Sequence, residues 1–253
     1  MTPNEILQSV AGTIYMATIT TVGIRLVVLA RRNRAVPELL LGVSLLVGGT
    51  FGAVIEAAGM SGTVYFDARV AGTLLAVGKA LGIVGFLCQA LFIRGVFRPH
   101  SAWATALVGA IVFGLLATYT AFWAAGTYSS GVMPLPIFLV ELAGRCVGSV
   151  WLITESIRYY GFMKKRLALG IAEPIVADRF RLWAIAAIAG LVLLATSAPP
   201  VIWPTSDSSW LDLLIPVFAV CGVLSSGTYL LAFFPPAPYR RWVEARLGAD
   251  SGQ

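Results

Sequence analysis

Residues 139–158 read LVELAGRCVGSVWLITESIR. A helix of this length rises about 30 Å, the thickness of a bilayer's hydrocarbon core. The run is apolar enough to cross that core, yet it holds Glu141, Arg145 and Glu155. On a helical wheel with Glu141 at zero, Arg145 lies at about +40° and Glu155 at about −40°. All three charges therefore share one stripe about 80° wide, and the rest of the circumference is left to lipid or to other helices.

The whole chain has the same character. Hydrophobic residues make up 58% of 253 and charged residues only 12%, with a mean hydropathy of +0.85. Soluble domains carry roughly twice that share of charge. The composition reads as an all-α integral membrane protein. Seven segments qualify as spans: about 6–30, 38–60, 69–96, 102–126, 134–160, 180–202 and 210–234. Short connections rich in Gly, Pro and Ser separate them, so one seven-transmembrane-helix bundle forms a single domain.

Orientation follows from the cations. One set of alternate connections holds Arg31, Arg32 and Arg34, then Arg94 and Arg98, then Arg158, Lys164, Lys165, Arg166, Arg179 and Arg181, then Arg240, Arg241 and Arg246; the other holds only Arg69. Positive charge marks the cytoplasmic face, which puts the N-terminus outside and the C-terminus in the cytoplasm of a multi-pass cell-membrane protein. The formal charge of +6 is then explained by topology and an anionic bilayer surface, not by nucleic acid. The opening residues MTPNE lack a basic region, so the first span reads as a retained helix and not a cleaved leader. Trp103, Trp123, Trp183, Trp203, Trp210 and Trp242 fall near expected span ends, as an aromatic belt requires.

Embedded charge costs about 2.5–3.5 kcal/mol per residue on insertion scales, so such groups face a bundle interior or a wet cavity and pair there. Arg145 lies roughly 16 Å into its span, near the midplane, and Glu141 precedes it by four residues, the favourable order for an intrahelical pair. Glu155 lies nearer the cytoplasmic face, in reach of Arg158 or Arg94. Lys79 in the third span falls at the depth of Arg145, and Glu56 in the second lies about 6 Å from the outer boundary. Thr118, Tyr119, Thr120, Thr196, Ser197 and Asp212 border the same outer volume. Two readings stay open for this set. It is either a polar network that pairs internally and fixes how helices meet, or an outward-facing cavity in which Arg145 and Lys79 hold an anionic or carbonyl group of a small ligand and Glu56 and Glu141 tune them, with Tyr119 among the ligand-binding residues. Gly78 with Gly82, and Gly144 with Gly148, are small-xxx-small pairs suited to close helix approach.

Several chemistries are disfavoured. The last span has no lysine for a retinal Schiff base, and His100 is the sole histidine, so neither a metal centre nor a bis-histidine haem has its ligands. No Ser/His pair exists for a hydrolase. Cys88, Cys146 and Cys221 are far apart in apolar runs and read as packing residues. No enzyme activity and no cofactor are expected.

The longest cytoplasmic connection includes LALGIAEPIVADRFRLW (167–183), and the last span closes on LAFFPPAPYRRW (231–242). These stretches resemble uncharacterised bacterial seven-helix membrane proteins and the seven-helix input domains of bacterial sensor proteins. The resemblance implies a receptor-like or sensory role in a bacterial inner membrane. Residues 237–253 form an amphipathic tail with Tyr239, Trp242, Val243 and Leu247 on one face. That face suits the inner leaflet, or an effector protein. Too little chain follows the last span for a fused output domain, so signalling is expected to pass through a separate partner. The alternatives are a small-solute transporter, whose seven spans would divide three, one and three as in the SWEET sugar transporters, and a structural subunit of a membrane complex. No internal similarity supports the former.

Overall fold

The computed structural model describes residues 3–61, 66–130, 133–196, 198, 202 and 209–249. Among these residues all regular structure is helical. In chain order the elements are α1 (Pro3–Asn33), α2 (Val36–Val43), a π-helical segment (Ser44–Gly52), α3 (Ala53–Ser61), α4 (Ala68–Phe97), α5 (Ala102–Ala124), α6 (Thr127–Ser130), α7 (Leu135–Ala168), α8 (Pro174–Ala195), α9 (Ser209–Phe233) and α10 (Ala237–Ala249). Six stretches are long and apolar enough to cross a membrane: Ile6–Asn33, Val36–Met60, Ala68–Phe97, Ala102–Ala124, Leu135–Ala168 and Leu214–Phe233. They match six of the expected spans. The span expected at 180–202 begins inside α8, just after Asp178 and Arg179, and positions 197, 199, 200 and 201 lie outside the described residues, as does Trp203 of the expected aromatic belt.

Helix ends are set locally. Asp67 caps α4 by accepting a 2.8 Å hydrogen bond from the Val70 N–H, satisfying one of the donors that a helix start leaves over. Gly170, at φ 69°, ends α7. Its N–H donates to Leu167 O and that of Ile171 to Arg166 O, the paired bonds of a Schellman turn that needs a left-handed residue at this point. Pro174 then starts α8 from its first turn, where a missing N–H costs nothing.

The chain divides into two compact units. One comprises Met1–Thr18, Ser149–Thr196 and Ser209–Gln253. Within it Tyr159, Phe180, Trp183 and Phe233 form a run of ring contacts with centroid separations of 5.6, 5.4 and 6.2 Å. Val243 and Leu247 of α10 are buried against Leu167 and Ala177, with Met163 and Ile175 alongside. Residues 237–249 of the expected tail are helical as α10, and the apolar face read there packs against the chain itself. Of the four residues read onto that face, only Trp242 is exposed as a large hydrophobic side chain.

The other unit comprises Ile19–Gly148 and Ser197–Ser208, and its described residues hold Glu56, Lys79, Glu141 and Arg145, the charges expected in the outer site. Its framework is a backbone-to-backbone contact between the α2–π–α3 helix and α4. A Cβ added at Gly48 would lie 2.7 Å from Gly85 Cα, one at Gly52 3.0 Å from Gly82 N, one at Gly59 2.4 Å from Leu75 N, and one at Gly78 2.4 Å from Glu56 N. Glycines thus meet backbone at successive turns, which lets dispersion act between main chains in an apolar solvent. The second small-residue pair behaves differently. Gly144 meets the Leu115 side chain at 3.5 Å, and Gly148 has no neighbour within 4 Å among the described residues. Among the described residues no backbone approaches either glycine, and at Gly144 the Leu115 side chain fills the interval.

The π segment has its own supports. Thr50 donates from Oγ1 to Leu45 O at 3.2 Å, and its hydroxyl lies 3.0 Å from that of Thr20 on α1. A side chain that bonds back to its own helix supports such a departure from α geometry, and π turns recur at functional sites.

Candidate functional site

The embedded charges of this unit form one chain of contacts. Lys79 Nζ on α4 lies 3.2 Å from Glu56 Oε1 on α3, and 3.1 Å from Glu141 Oε2 and 3.3 Å from Glu141 Oε1 on α7. Arg145, one turn along α7, donates from Nη2 to Glu141 Oε1. The order is Glu56, Lys79, Glu141, Arg145, so the signs alternate and the sum is zero. The two inner members are buried, with side-chain exposures of 4% for Lys79 and 8% for Glu141, while the outer two keep 21% for Glu56 and 18% for Arg145.

Packing explains this geometry. Gly78 precedes Lys79 on α4 and carries no Cβ, so the Glu56 backbone lies directly against it and its carboxylate reaches the ammonium. Gly82, one turn further along α4, faces Arg145: a Cβ there would stand 3.8 Å from Nη2. Aromatic faces complete the surroundings of both cations. Lys79 Nζ lies 5.0 Å from the Phe122 ring centroid and the Arg145 guanidinium 5.2 Å from that of Phe86, distances at which the ring quadrupole attracts a cation. Each buried charge thus has an opposite partner, as burial of charge requires.

Tyr119 of α5 reaches this neighbourhood through Tyr128 of α6, at a centroid separation of 5.6 Å. Tyr128 also packs on Trp123 at 4.8 Å and Phe122 at 6.4 Å, above a core of Leu75 and Ala76. Tyr128 is 6% exposed and Thr127 fully buried, yet neither the Tyr128 Oη nor the Thr127 Oγ1 has a hydrogen-bond partner among the described residues. Burial is the first cause that pushes the Tyr128 phenol upward, followed by the charge of Tyr119, Glu141 and Glu56. The hydroxyl is thus in the field of both carboxylates. A buried hydroxyl without a partner costs on the order of 1–3 kcal/mol, a cost that a polar ligand would remove.

Other expected residues go elsewhere. Thr118 and Thr120 donate to Leu115 O and Ala117 O of their own helix, both at 2.9 Å, and Thr196 donates to Leu193 O at 2.7 Å. The side chains of Ser197 and Asp212 lie outside the described residues. Glu155 belongs to the other unit, where it is buried with Arg158 Nη1 3.9 Å away. Arg94 donates from Nε to Thr105 at 2.8 Å. Cys88, Cys146 and Cys221 are free thiols, and the described residues contain no cluster of potential metal ligands.

Sequence reasoning missed Tyr128, Thr127, Phe86 and Phe122. The first two fall in GTYSSGVMP, read as a plain connection, whose aromatic neighbours in YTAFW were its only signal. Scans of family models, curated proteins and solved structures find no match to the chain.

Proposed function

We propose that the chain is a receptor-like, sensory seven-helix protein of the cell membrane, with its N-terminus outside, that binds a small polar ligand at the Glu56–Lys79–Glu141–Arg145 cluster and signals through a separate partner. The observation that carries the binding reading is the meeting of two things. Four embedded charges converge from three helices, and a buried, unpartnered tyrosine hydroxyl lies in the field of their carboxylates. Intramembrane ionisable groups mark functional sites by default. The seventh span and the orientation draw support from α8 and from the one-sided distribution of Arg and Lys.

Ligand binding at this cluster would act on the relation between α3, α4 and α7, since those helices hold the four charges, and a ligand shifts a conformational equilibrium only through contacts that differ between states. The test is a panel of small polar metabolites screened against the purified full chain for thermal stabilisation, repeated with Arg145→Gln. A stabilising compound whose effect is lost in the variant supports the reading, and one that stabilises both equally removes the cluster from it. Uptake into proteoliposomes separates sensor from transporter, because a transporter must show flux.

A specific observation favours a second reading, that of a structural membrane subunit. The four charges already neutralise one another, so the cluster ties helices together even with no ligand present.

A further inference from the structure

Helix α10 is docked through one face and leaves a flank open. Val243 and Leu247 are buried against Leu167 and Ala177, and the Tyr239 hydroxyl donates to Asp178. With Val243 at zero on a helical wheel, Leu247 lies at about +40° and Tyr239 at about −40°. Trp242 and Arg246 follow at about −100° and −60°, together on the flank beside Tyr239, while Arg241 lies at about 160° on the outward side. The Trp242 ring stacks on Tyr239 at a centroid separation of 5.7 Å and stays 48% exposed. Two guanidiniums lie against it: Arg246 at 5.2 Å from its centroid and Arg181 of α8 at 5.7 Å.

Neighbouring helices set the level of this group. Arg181 is the last charged residue of α8, which continues as LWAIAAIAGLVLLA over 182–195. The Trp183 ring packs on that of Phe233 at 6.2 Å, and Phe233 ends Leu214–Phe233, a stretch long and apolar enough to cross a membrane. Both helices thus turn from apolar to polar at one level, and the contact with Arg181 brings Trp242 to it. Hydrocarbon gives way to headgroups at such a level, where tryptophan is enriched.

We infer that the Trp242 flank of α10 is a binding site for the headgroup of an anionic phospholipid. Its phosphate accepts from Arg246, with Arg181 as a second donor already held in place by Asp178 Oδ1 at 2.7 Å. The planar fork of a guanidinium fits phosphate oxygens, and resting on an indole costs it rotamers before the ligand arrives. The sign of the charge follows from α10 itself. It carries Arg240, Arg241 and Arg246 against Glu244, and Arg246 makes an ion pair with no carboxylate among the described residues. A zwitterionic headgroup brings its own cation to this surface and gains less. A soluble anion leaves the indole uncovered, whereas a lipid lays its glycerol and first acyl carbons on it. The lipid thereby ties the docked helix to the bilayer through the one large apolar side chain that α10 leaves open.

This site stands whether or not the Glu56–Lys79–Glu141–Arg145 cluster takes a ligand. To test it, the full chain is placed in phosphatidylcholine nanodiscs containing a lipid brominated on its acyl chains, either phosphatidylglycerol or phosphatidylcholine at equal fraction. Bromine quenches a tryptophan it touches, and the Trp242 share of the signal is the part lost in Trp242→Phe. A preference for phosphatidylglycerol of about fivefold or more is expected there, the factor that one arginine contributes at an anionic membrane surface. Arg246→Gln should remove most of that preference and Arg241→Gln little of it, with the hydrogen-exchange protection of residues 237–249 unchanged in both. Equal quenching by the two lipids overturns the proposal. An Arg241→Gln effect as large as that of Arg246→Gln also overturns it, because the preference would then belong to a diffuse basic surface. So does displacement of the lipid by glycerol phosphate or polyglutamate at constant ionic strength, which would make the occupant a soluble anion or an acidic protein.

Discussion

The alternating cluster makes a graded prediction about stability. Lys79 touches two carboxylates and Glu141 touches two cations, whereas Glu56 and Arg145 each have one partner within the cluster. Lys79→Met leaves Glu56 without its cluster partner and Glu141 with Arg145 alone. Glu141→Gln leaves Lys79 with Glu56 alone and takes the carboxylate from Arg145. Removing one member of a buried ion pair costs about 3–5 kcal/mol, because the remaining charge is left uncompensated. Glu56→Gln and Arg145→Gln differ in that the inner partner retains a second opposite charge, and the site of substitution is partly open. Their cost is closer to that of one charge-assisted hydrogen bond, about 1.5–3 kcal/mol.

The assay is reversible unfolding of the purified protein in mixed micelles with rising detergent denaturant, followed by tryptophan fluorescence and far-UV circular dichroism. A clear gap between the inner and outer variants is expected. The double variant Lys79→Met/Glu141→Gln should cost less than the two singles added together, since the second change removes a charge that the first had exposed. Four costs that are equal to within about 0.5 kcal/mol, or an outer variant that costs more than either inner one, would refute this account of the cluster.

Three further outcomes follow from other parts of the molecule. Gly78→Ala and Gly59→Ala place a methyl within 2.4 Å of backbone, so each should destabilise by about 1–3 kcal/mol or more. Gly109→Ala, with nothing within 4 Å among the described residues, should be neutral or slightly stabilising on the same unfolding curve. The C-terminal helix is held by Tyr239, which donates to Asp178 Oδ2 while Arg181 lies 2.7 Å from Asp178 Oδ1. Burial, then the hydrogen bond and charge of Asp178, push the Tyr239 phenol up to about 12, against the opposing pull of Arg181. A pKa raised in the folded state favours the protonated form, so this contribution is complete below pH of about 10 and is lost as pH rises through about 12. Hydrogen exchange across residues 237–249 should therefore accelerate between those values in the native chain, and Tyr239→Phe should remove the step. Finally, Leu247→Asp places a charge against Leu167 and Ala177 and should release the helix to limited proteolysis, leaving the protection of α4 unchanged.

Much of the architecture is legible without coordinates because the bilayer imposes a length and a polarity on every crossing. The expected bounds of the first five spans and the last agree with the helices to within a few residues, except that α7 runs on to Ala168. The Glu141–Arg145 contact is legible for a similar reason, since four residues along a helix fix both partners on one face. Lys79 could be set level with Arg145 along its helix but not given a partner, because position along a helix is a property of one element and pairing a property of two. Tyr128 lay beyond this reasoning altogether. Its burial arises from Leu75, Ala76 and Phe122 on other elements, and no periodicity within a four-residue helix records them.

Glu56 shows why the rest resists a wheel. A wheel assumes about 3.6 residues per turn, and between Ser44 and Gly52 this helix hydrogen-bonds in π geometry, which takes up extra residues per turn. Every residue beyond that segment is rotated relative to the α-helical phase, Glu56 among them. Its direction therefore depends on a feature whose local signs are the glycines at 48, 49 and 52 and the back-bonding hydroxyl of Thr50. Two of these, Gly48 and Gly52, also bring α4 to within backbone contact. One stretch thus sets both the rotation that aims Glu56 and the separation that lets it reach Lys79. A Thr50→Val change, which keeps the volume but removes the bond to Leu45 O, should act on the ion cluster from outside it. The expected result is a loss of coupling between Glu56 and Lys79 in a double-mutant cycle, with the Glu141–Arg145 coupling unchanged because that pair depends on α7 alone. Equal loss of both couplings would mean that Thr50 supports the unit as a whole and has no particular hold on the direction of Glu56.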